Sequence, residues 1–511
     1  MTQVQTQHGW LEGERRDDHS VFRGIPFARP PTGALRFRAP EPPEPWTGVR
    51  LAREFGPSSV QARGVMMAPP EPFREDCLYL NVYTPRADSA RRPVFFWIHG
   101  GAFAFGAGGE PVYDGGPLAV RGDVVVVTIN YRLGALGFSH FPEAERARLG
   151  VSSNAGCLDQ IAALAWVRDN IHAFGGDPNA VTIAGESAGA YSVAMLLGMP
   201  RARGLFHRAI AQSGARLTRG SADPTLPTRE LVRALDLKTE RLDALWQLPA
   251  ERFLAAQQRV AERMASPAGT VPFGPVWDGD TLPLPLEQAM ANGTCARVPL
   301  LIGTNRDEIN LFLGAALAKL HESLADAELL PPLRDLIPNA SDERLRALVE
   351  VYRRSRARRQ LPHAERALLS AIHSDALWRV PSGRFAEAHR AHQPATFQYL
   401  FTYESPAVHG AMRSCHALEL AFVFGTLAVP GQAQFAGTGE AVQRLSERMM
   451  DAWLAFTRTG DPSVDAPTQA WPAYDAERRP TMVFGLDSAL EHAPYEEERA
   501  AWDDLHPRPL H

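Results

Sequence analysis

Short, unbroken apolar runs recur along the chain, each bounded by glycine, proline or polar clusters, and they predict buried strands at Pro93 to Ile98, Val124 to Asn130, Val181 to Ala184 and Ala209 to Gln212. Residues 298 to 303 (VPLLIG) and Phe397 to Tyr403 read the same way, and Asp76 to Pro85 alternates like a strand. Between them, apolar positions fall at helical spacing over Asn154 to Phe174, ending at Gly175-Gly176-Asp177-Pro178, over Ala188 to Leu197 and over Glu440 to Thr459. Leu418 to Phe424 is apolar toward its C-terminal side. Strand and helix in alternation predict an α/β fold: a mostly parallel sheet with helices on both faces. Two blocks, about 224–268 and 315–392, are helical and charged, and read as insertions on that core. Residues 8 to 55 are rich in proline and glycine; GIPFARPPTGALRFRAPEPPEPW cannot be a long helix or a central strand, and predicts an ordered surface arm with small strands before it. Residues 61 to 75 predict a flexible loop. No repeat or Ser/Gly linker divides the chain, so residues 1–511 are expected to form one domain.

Composition changes this picture little. Of 511 residues, 45% are hydrophobic and 22% charged, as in ordinary globular proteins. A net charge of −5 gives nucleic-acid binding no support. Lys238 and Lys319 are the only lysines. The four cysteines, Cys77, Cys157, Cys295 and Cys415, show no metal-ligand spacing. The N-terminus lacks a basic-then-apolar signal pattern, and no apolar run approaches the ~20 residues that cross a bilayer. A soluble, cytoplasmic protein is expected, with neither metal nor cofactor.

The chemistry is concentrated in VTIAGESAGAYSVAMLLG. Gly185-Glu186-Ser187-Ala188-Gly189 is G-x-S-x-G placed between a predicted strand and a predicted helix, the setting of a nucleophile elbow. The tight turn would strain the serine backbone and expose its hydroxyl above the sheet. Ala188 would open the helix with a free N–H. A serine hydroxyl is a poor nucleophile unless a histidine takes its proton and a carboxylate orients that histidine. Both must sit on loops after later strands, in the order serine, acid, histidine. After VPLLIG the candidates are Asp307 and Glu308; after FQYLFTY they are His409 and His416. Pattern alone leaves both pairs open. Upstream, His99-Gly100-Gly101-Ala102-Phe103 follows a strand, and its small residues would let backbone N–H groups approach an oxyanion.

From FRGIPFARPPTGALRFRAPEPPEPW through EDCLYLNVYTP, WIHGGAFAFGAGGEPVYDG, VVVVTINYRLGALGF, GESAGA, QSGA, GTNRDE and CHALELAFVFG to MMDAWLAFTRTGDPS, the chain resembles the type-B carboxylesterases. The resemblance implies an α/β-hydrolase fold. It also implies Ser187, Glu308 and His416 as the catalytic triad, and an oxyanion hole made by Gly101, Ala102 and Ala188. Ala102 stands where animal members commonly have glycine. Ser213 matches a second serine that helps position the acid and histidine. Animal members close a disulfide from the cysteine of EDCLYLN, but Ser59 stands at the partner position, so Cys77 is expected to stay a thiol and the 61–75 loop to remain free to move over the site. Phe103, Phe273, Phe312 and Leu313 fall in segments that flank the site and are expected to form an apolar pocket.

These features imply hydrolysis of small uncharged short-to-medium acyl or aryl esters through an acyl-enzyme, without cofactors, by a monomer or small homo-oligomer. The same residues would serve a specialised hydrolase of a carbamate, lactone, amide or polyketide-type ester. A non-catalytic binding relative would be expected to lack a member of the triad.

Overall fold

The computed structural model describes residues 1–62, 69–217, 223–264, 271–464 and 470–507. Among them, thirteen strands share one sheet: β1 Thr2–Thr6, β2 Gly9–Arg15, β3 Ser20–Pro26, β4 Val49–Leu51, β5 Tyr79–Thr84, β6 Arg92–Ile98, β7 Val125–Ile129, β8 Gly176–Glu186, β9 Arg208–Gln212, β10 Leu300–Asn305, β11 Thr396–Phe401, β12 Pro480–Phe484 and β13 Ala489–His492. The spatial order is β1-β2-β3-β5-β7-β6-β8-β9-β10-β11-β12-β13, with β4 beside β2. From β7 to β12 every neighbouring pair is parallel. Antiparallel pairs finish both margins.

Both faces of the parallel region are covered, which is why its strands are apolar without alternation. Phe96, Ile98, Val127 and Ile183 point into one core cluster with Leu164, Val167 and Val193 of the helices Ala155–Asn170 and Ala188–Gly198. Phe95, Trp97, Val126 and Ala184 point into another, closed by Met449 and Trp453 of the helix Glu440–Thr459. That helix has the bounds its periodicity predicts. The expected helix ending at Phe174 closes as a 3-10 turn, Ile171–Phe174, and Gly175 takes a left-handed φ of 82°.

The two charged blocks are helical over Leu226–Ala234 and Ala250–Met264, and over Asp326–Leu336, Asp342–Arg358, Glu365–Ser374 and Val380–Arg390. The second block encloses its own cluster around Leu333, Leu348, Tyr352 and Ile372. A π-helical turn, Asp375–Arg379, joins its last two helices. The proline-rich arm contributes β2, β3 and β4. Strands β12 and β13 have no counterpart in the apolar runs, because β12 opens on a proline and β13 is partly exposed along its length. Of the 61–75 loop, residues 63–68 lie outside the described residues. Its flanks are tied down: Ser58–Ser59 pairs with Phe73–Arg74, and the Gln61 amide donates to the Ser59 and Gly106 carbonyls, both at 3.0 Å.

Candidate active site

Strand β8 delivers Ser187 to the carboxyl edge of the sheet, between the ends of β6 and β9. Ser187 holds φ 56° and ψ −120°, a conformation that is unfavourable for a residue with a Cβ. It is held there from both sides. Its N–H donates to Gln212 O at 2.8 Å, and its carbonyl accepts from Tyr191 N at 2.9 Å, in the first turn of the helix Ala188–Gly198. The glycines make this crossing possible. A Cβ on Gly189 would lie 2.0 Å from Ile98 O, and one on Gly214 would lie 2.0 Å from Ser187 O.

Glu308 follows the end of β10, and His416 lies on the loop after β11. Glu308 Oε2 is 2.6 Å from His416 Nδ1, and Glu308 Oε1 accepts the Asn305 N–H at 2.7 Å. The alternatives are placed elsewhere. Asp307 is buried among Arg306, Arg356 and Arg413. Burial would raise its pKa, but those guanidinium groups outweigh it and hold the carboxyl below its ordinary value. His409 is exposed. The structure therefore pairs Glu308 with His416, sets that pair against Glu186, the residue before Ser187, and leaves Asp307 and His409 out of the pairing.

His416 Nε2 faces a second carboxylate, Glu186 Oε1, at 3.0 Å. Burial works against a charged imidazole, but Glu186 and Glu308 outweigh it and hold the pKa well above the ordinary 6.5. Burial raises the Glu308 pKa, and His416 and the nearby Ser213 hydroxyl pull it back. Ser213 itself is held at φ 54°, with its N–H on Gly303 O at 2.8 Å. Beneath the pair lies Glu419, which burial, with Glu186 and Glu308 nearby, pushes up to about 8. Its oxygens accept from Asn305 Nδ2 at 2.7 Å and Gln212 Nε2 at 3.1 Å, and the Trp453 indole donates to Gln212 at 2.9 Å.

The loop after β6 turns back on itself. Gly101, Ala102 and Phe103 have φ of 97°, 52° and 56°, and Phe105 N donates to Gly101 O at 3.0 Å. Among the described residues the Gly101 and Ala102 amides donate to no backbone carbonyl. Ala188 is the first helical residue, so its N–H has no partner within the helix. Ala102 thus accepts a left-handed conformation that a glycine would adopt without strain.

The expected pocket residues divide. Phe312 is half-exposed, with its ring centroid 5.3 Å from that of His416, and Phe103 is buried beside Ala102 against Phe138 and Tyr191. Phe273 is buried in the core cluster that holds Phe103, and Leu313 is partly buried. Neither has a ring contact with His416 among the described residues. Three neighbours of the histidine escaped the sequence reading: Glu186, Glu419 and Trp378. The Trp378 ring lies 5.4 Å from His416 and stacks on Phe312. It is carried by the π-helical turn, a device frequent at functional sites but without a pattern in sequence. Glu186 and Glu419 were detectable as charges inside apolar segments. Cys77 is a buried free thiol, with Ser59 beside it lowering a pKa that burial raises.

A strained serine at a strand-to-helix elbow, on a sheet whose later strands supply a carboxylate and an imidazole in hydrogen-bond contact, places the molecule among the α/β-hydrolases. Within them, the chain belongs to the carboxylesterase family, whose sequence profile matches residues 1–502. It is 40% identical to the para-nitrobenzyl esterase of Bacillus subtilis over 505 residues, 97% of each chain. It is 34% identical to the phenmedipham hydrolase of Pseudarthrobacter oxydans over 497 residues, 95% of each. A solved Geobacillus stearothermophilus carboxylesterase superposes with a TM-score of 0.85 at 40% identity, covering 98% of this chain and all of that one.

Proposed function

We propose that the protein is a serine carboxylesterase in which Ser187 is the nucleophile, His416 the general base and acid, and Glu308 the carboxylate that orients it. The observation that carries this reading is the 2.6 Å contact from Glu308 to His416 Nδ1, which leaves Nε2 directed at the elbow. Nε2 turns from Glu186 to the Ser187 hydroxyl when substrate fills the site. Such contacts commonly tighten only on binding. Ser187 Oγ then attacks the ester carbonyl as its proton passes to Nε2. The oxyanion collects hydrogen bonds from Gly101, Ala102 and Ala188. As the tetrahedral intermediate collapses, the carbon–oxygen bond to the alcohol breaks and the alcohol leaves with the proton from His416. Water then hydrolyses the acyl-enzyme by the same route. Each oxyanion donor is worth on the order of 10²–10³ in rate. Ser213 acts through Glu308 as a positioning residue.

The preferred substrates are uncharged short-to-medium acyl or aryl esters. Support comes from the rings of Phe312 and Trp378 stacked beside His416 and from a relative named para-nitrobenzyl esterase; Phe103, Phe273 and Leu313 complete the proposed pocket. Residues 1–511 act as one α/β-hydrolase domain, monomeric or in a small homo-oligomer, with no protein partner or cofactor needed for this chemistry. A cytoplasmic setting fits four buried free thiols. Among the described residues no helix is long and apolar enough to cross a membrane. The test is hydrolysis of para-nitrophenyl acetate, butyrate and octanoate by wild type and Ser187→Ala. Ready turnover that vanishes in the variant supports the assignment; turnover that survives refutes it.

A further inference from the structure

The loop after β9 runs from Ser213 to Arg216 along the elbow. Gly214 presses on the Ser187 carbonyl, and Ala215 is buried, its carbonyl accepting from Ser382 Oγ at 3.2 Å. Arg216 is partly buried, and its guanidinium carbon stands 5.0 Å from the centroid of the Tyr191 ring. Tyr191 lies one helical turn beyond Ser187, and its ring is 5.9 Å from that of Phe103, the residue after Ala102. The guanidinium therefore belongs to a wall shared with the elbow helix and the oxyanion loop.

Several buried arginines of the described residues face a carboxylate. Arg36 faces Glu75, Arg132 faces Asp159, Arg306 faces Asp307 and Arg379 faces Asp375. Among the described residues Arg216 has no such carboxylate. Burial lowers its pKa, and Tyr191 works in the opposite direction. A ring covers one face of a guanidinium and leaves its in-plane N–H donors unused. Because the side chain is only partly buried, these donors stay open to water, and an anion entering the site can complete the cation. A carboxylate does so best, because its two oxygens match the fork of two parallel N–H groups.

We propose that Arg216 is a specificity-determining residue on the acyl side of the site, recognising acyl groups that end in a carboxylate, such as monoesters of dicarboxylic acids. This rests on Ser187 being the nucleophile, and it adds an anionic substrate class to the uncharged esters. The reaction is unchanged: the ester bond breaks, the alcohol leaves, and the second carboxylate stays paired with Arg216 throughout.

The experiment compares the 4-nitrophenyl monoesters of glutaric and adipic acids with 4-nitrophenyl butyrate and hexanoate, after subtracting spontaneous hydrolysis. Wild type, Arg216→Gln, Arg216→Lys and Ser187→Ala are assayed, with thermal unfolding of each. In Arg216→Gln the anionic-to-neutral ratio of kcat/KM should fall about ten-fold or more, the worth of one charge-assisted hydrogen bond. The loss should lie in KM, with neutral esters changed less than about three-fold. Arg216→Lys should keep part of the preference. An unchanged ratio, an equal loss on both ester classes, or no turnover of the anionic monoesters by wild type would overturn the inference alone. Absence of any Ser187-dependent turnover would instead overturn the nucleophile assignment beneath it.

Discussion

The two carboxylates that flank His416 make a prediction about pH. General-base action needs the neutral imidazole, and both Glu186 and Glu308 favour the charged one, holding its pKa well above 6.5. Activity should therefore rise with pH, along an acid limb displaced to the alkaline side of an ordinary histidine. Glu186→Gln keeps the shape of the side chain and removes one of the two charges. At 3.0 Å the pair is worth about 5 kcal/mol at an effective dielectric of about 20, a ceiling of about 4 pKa units. Part of that is offset, because the glutamine amide still contacts Nε2 and Glu308 stays in place. Opposite charges at such range typically shift a pKa by about 1–3 units. The acid limb of kcat/KM for 4-nitrophenyl acetate should thus move to lower pH by about 1–3 units. Its plateau should stay within about ten-fold, since Nε2 leaves position 186 for the Ser187 hydroxyl when substrate binds. A limb that stays in place, or moves to higher pH, would refute the idea that Glu186 governs the proton on His416.

Further outcomes follow from the same geometry. Glu308→Gln should lower kcat roughly 10⁴-fold while leaving the thermal midpoint nearly unchanged, because the amide cannot hold the imidazolium or its tautomer. Gly189→Ala forces a Cβ to 2.0 Å from Ile98 O; displacing the elbow helix should cost about 1–3 kcal/mol in denaturant unfolding and most of the esterase activity. Asp159→Ala strands Arg132, whose guanidinium lies 2.6 Å from Asp159 with both side chains buried; about 3–5 kcal/mol of stability should be lost in urea titration. A loss below 1 kcal/mol there would mean that water reaches Arg132.

By itself the sequence determined whatever depends on local pattern. Unbroken apolar strands imply a sheet covered on both faces, and β6, β7 and β8 lie where those runs fall. Helical spacing set the bounds of Glu440–Thr459. G-x-S-x-G between a strand and a helix located Ser187, because strain at a tight crossing demands glycine at positions 185 and 189 whatever the rest of the chain does. Family resemblance, not spacing, singled out Glu308 over Asp307 and His416 over His409. Only the tertiary structure decided what depends on residues distant in the chain. It placed Asp307 among three arginines, set Glu186 against His416 Nε2, and brought Trp378 onto Phe312 through a π-helical turn. It also added β12, which opens on a proline, and β13, four residues partly exposed along their length, to the far edge of the sheet. The reason is physical: periodicity reports which face of an element is buried, whereas the charge on a group is set by whatever the fold packs against it.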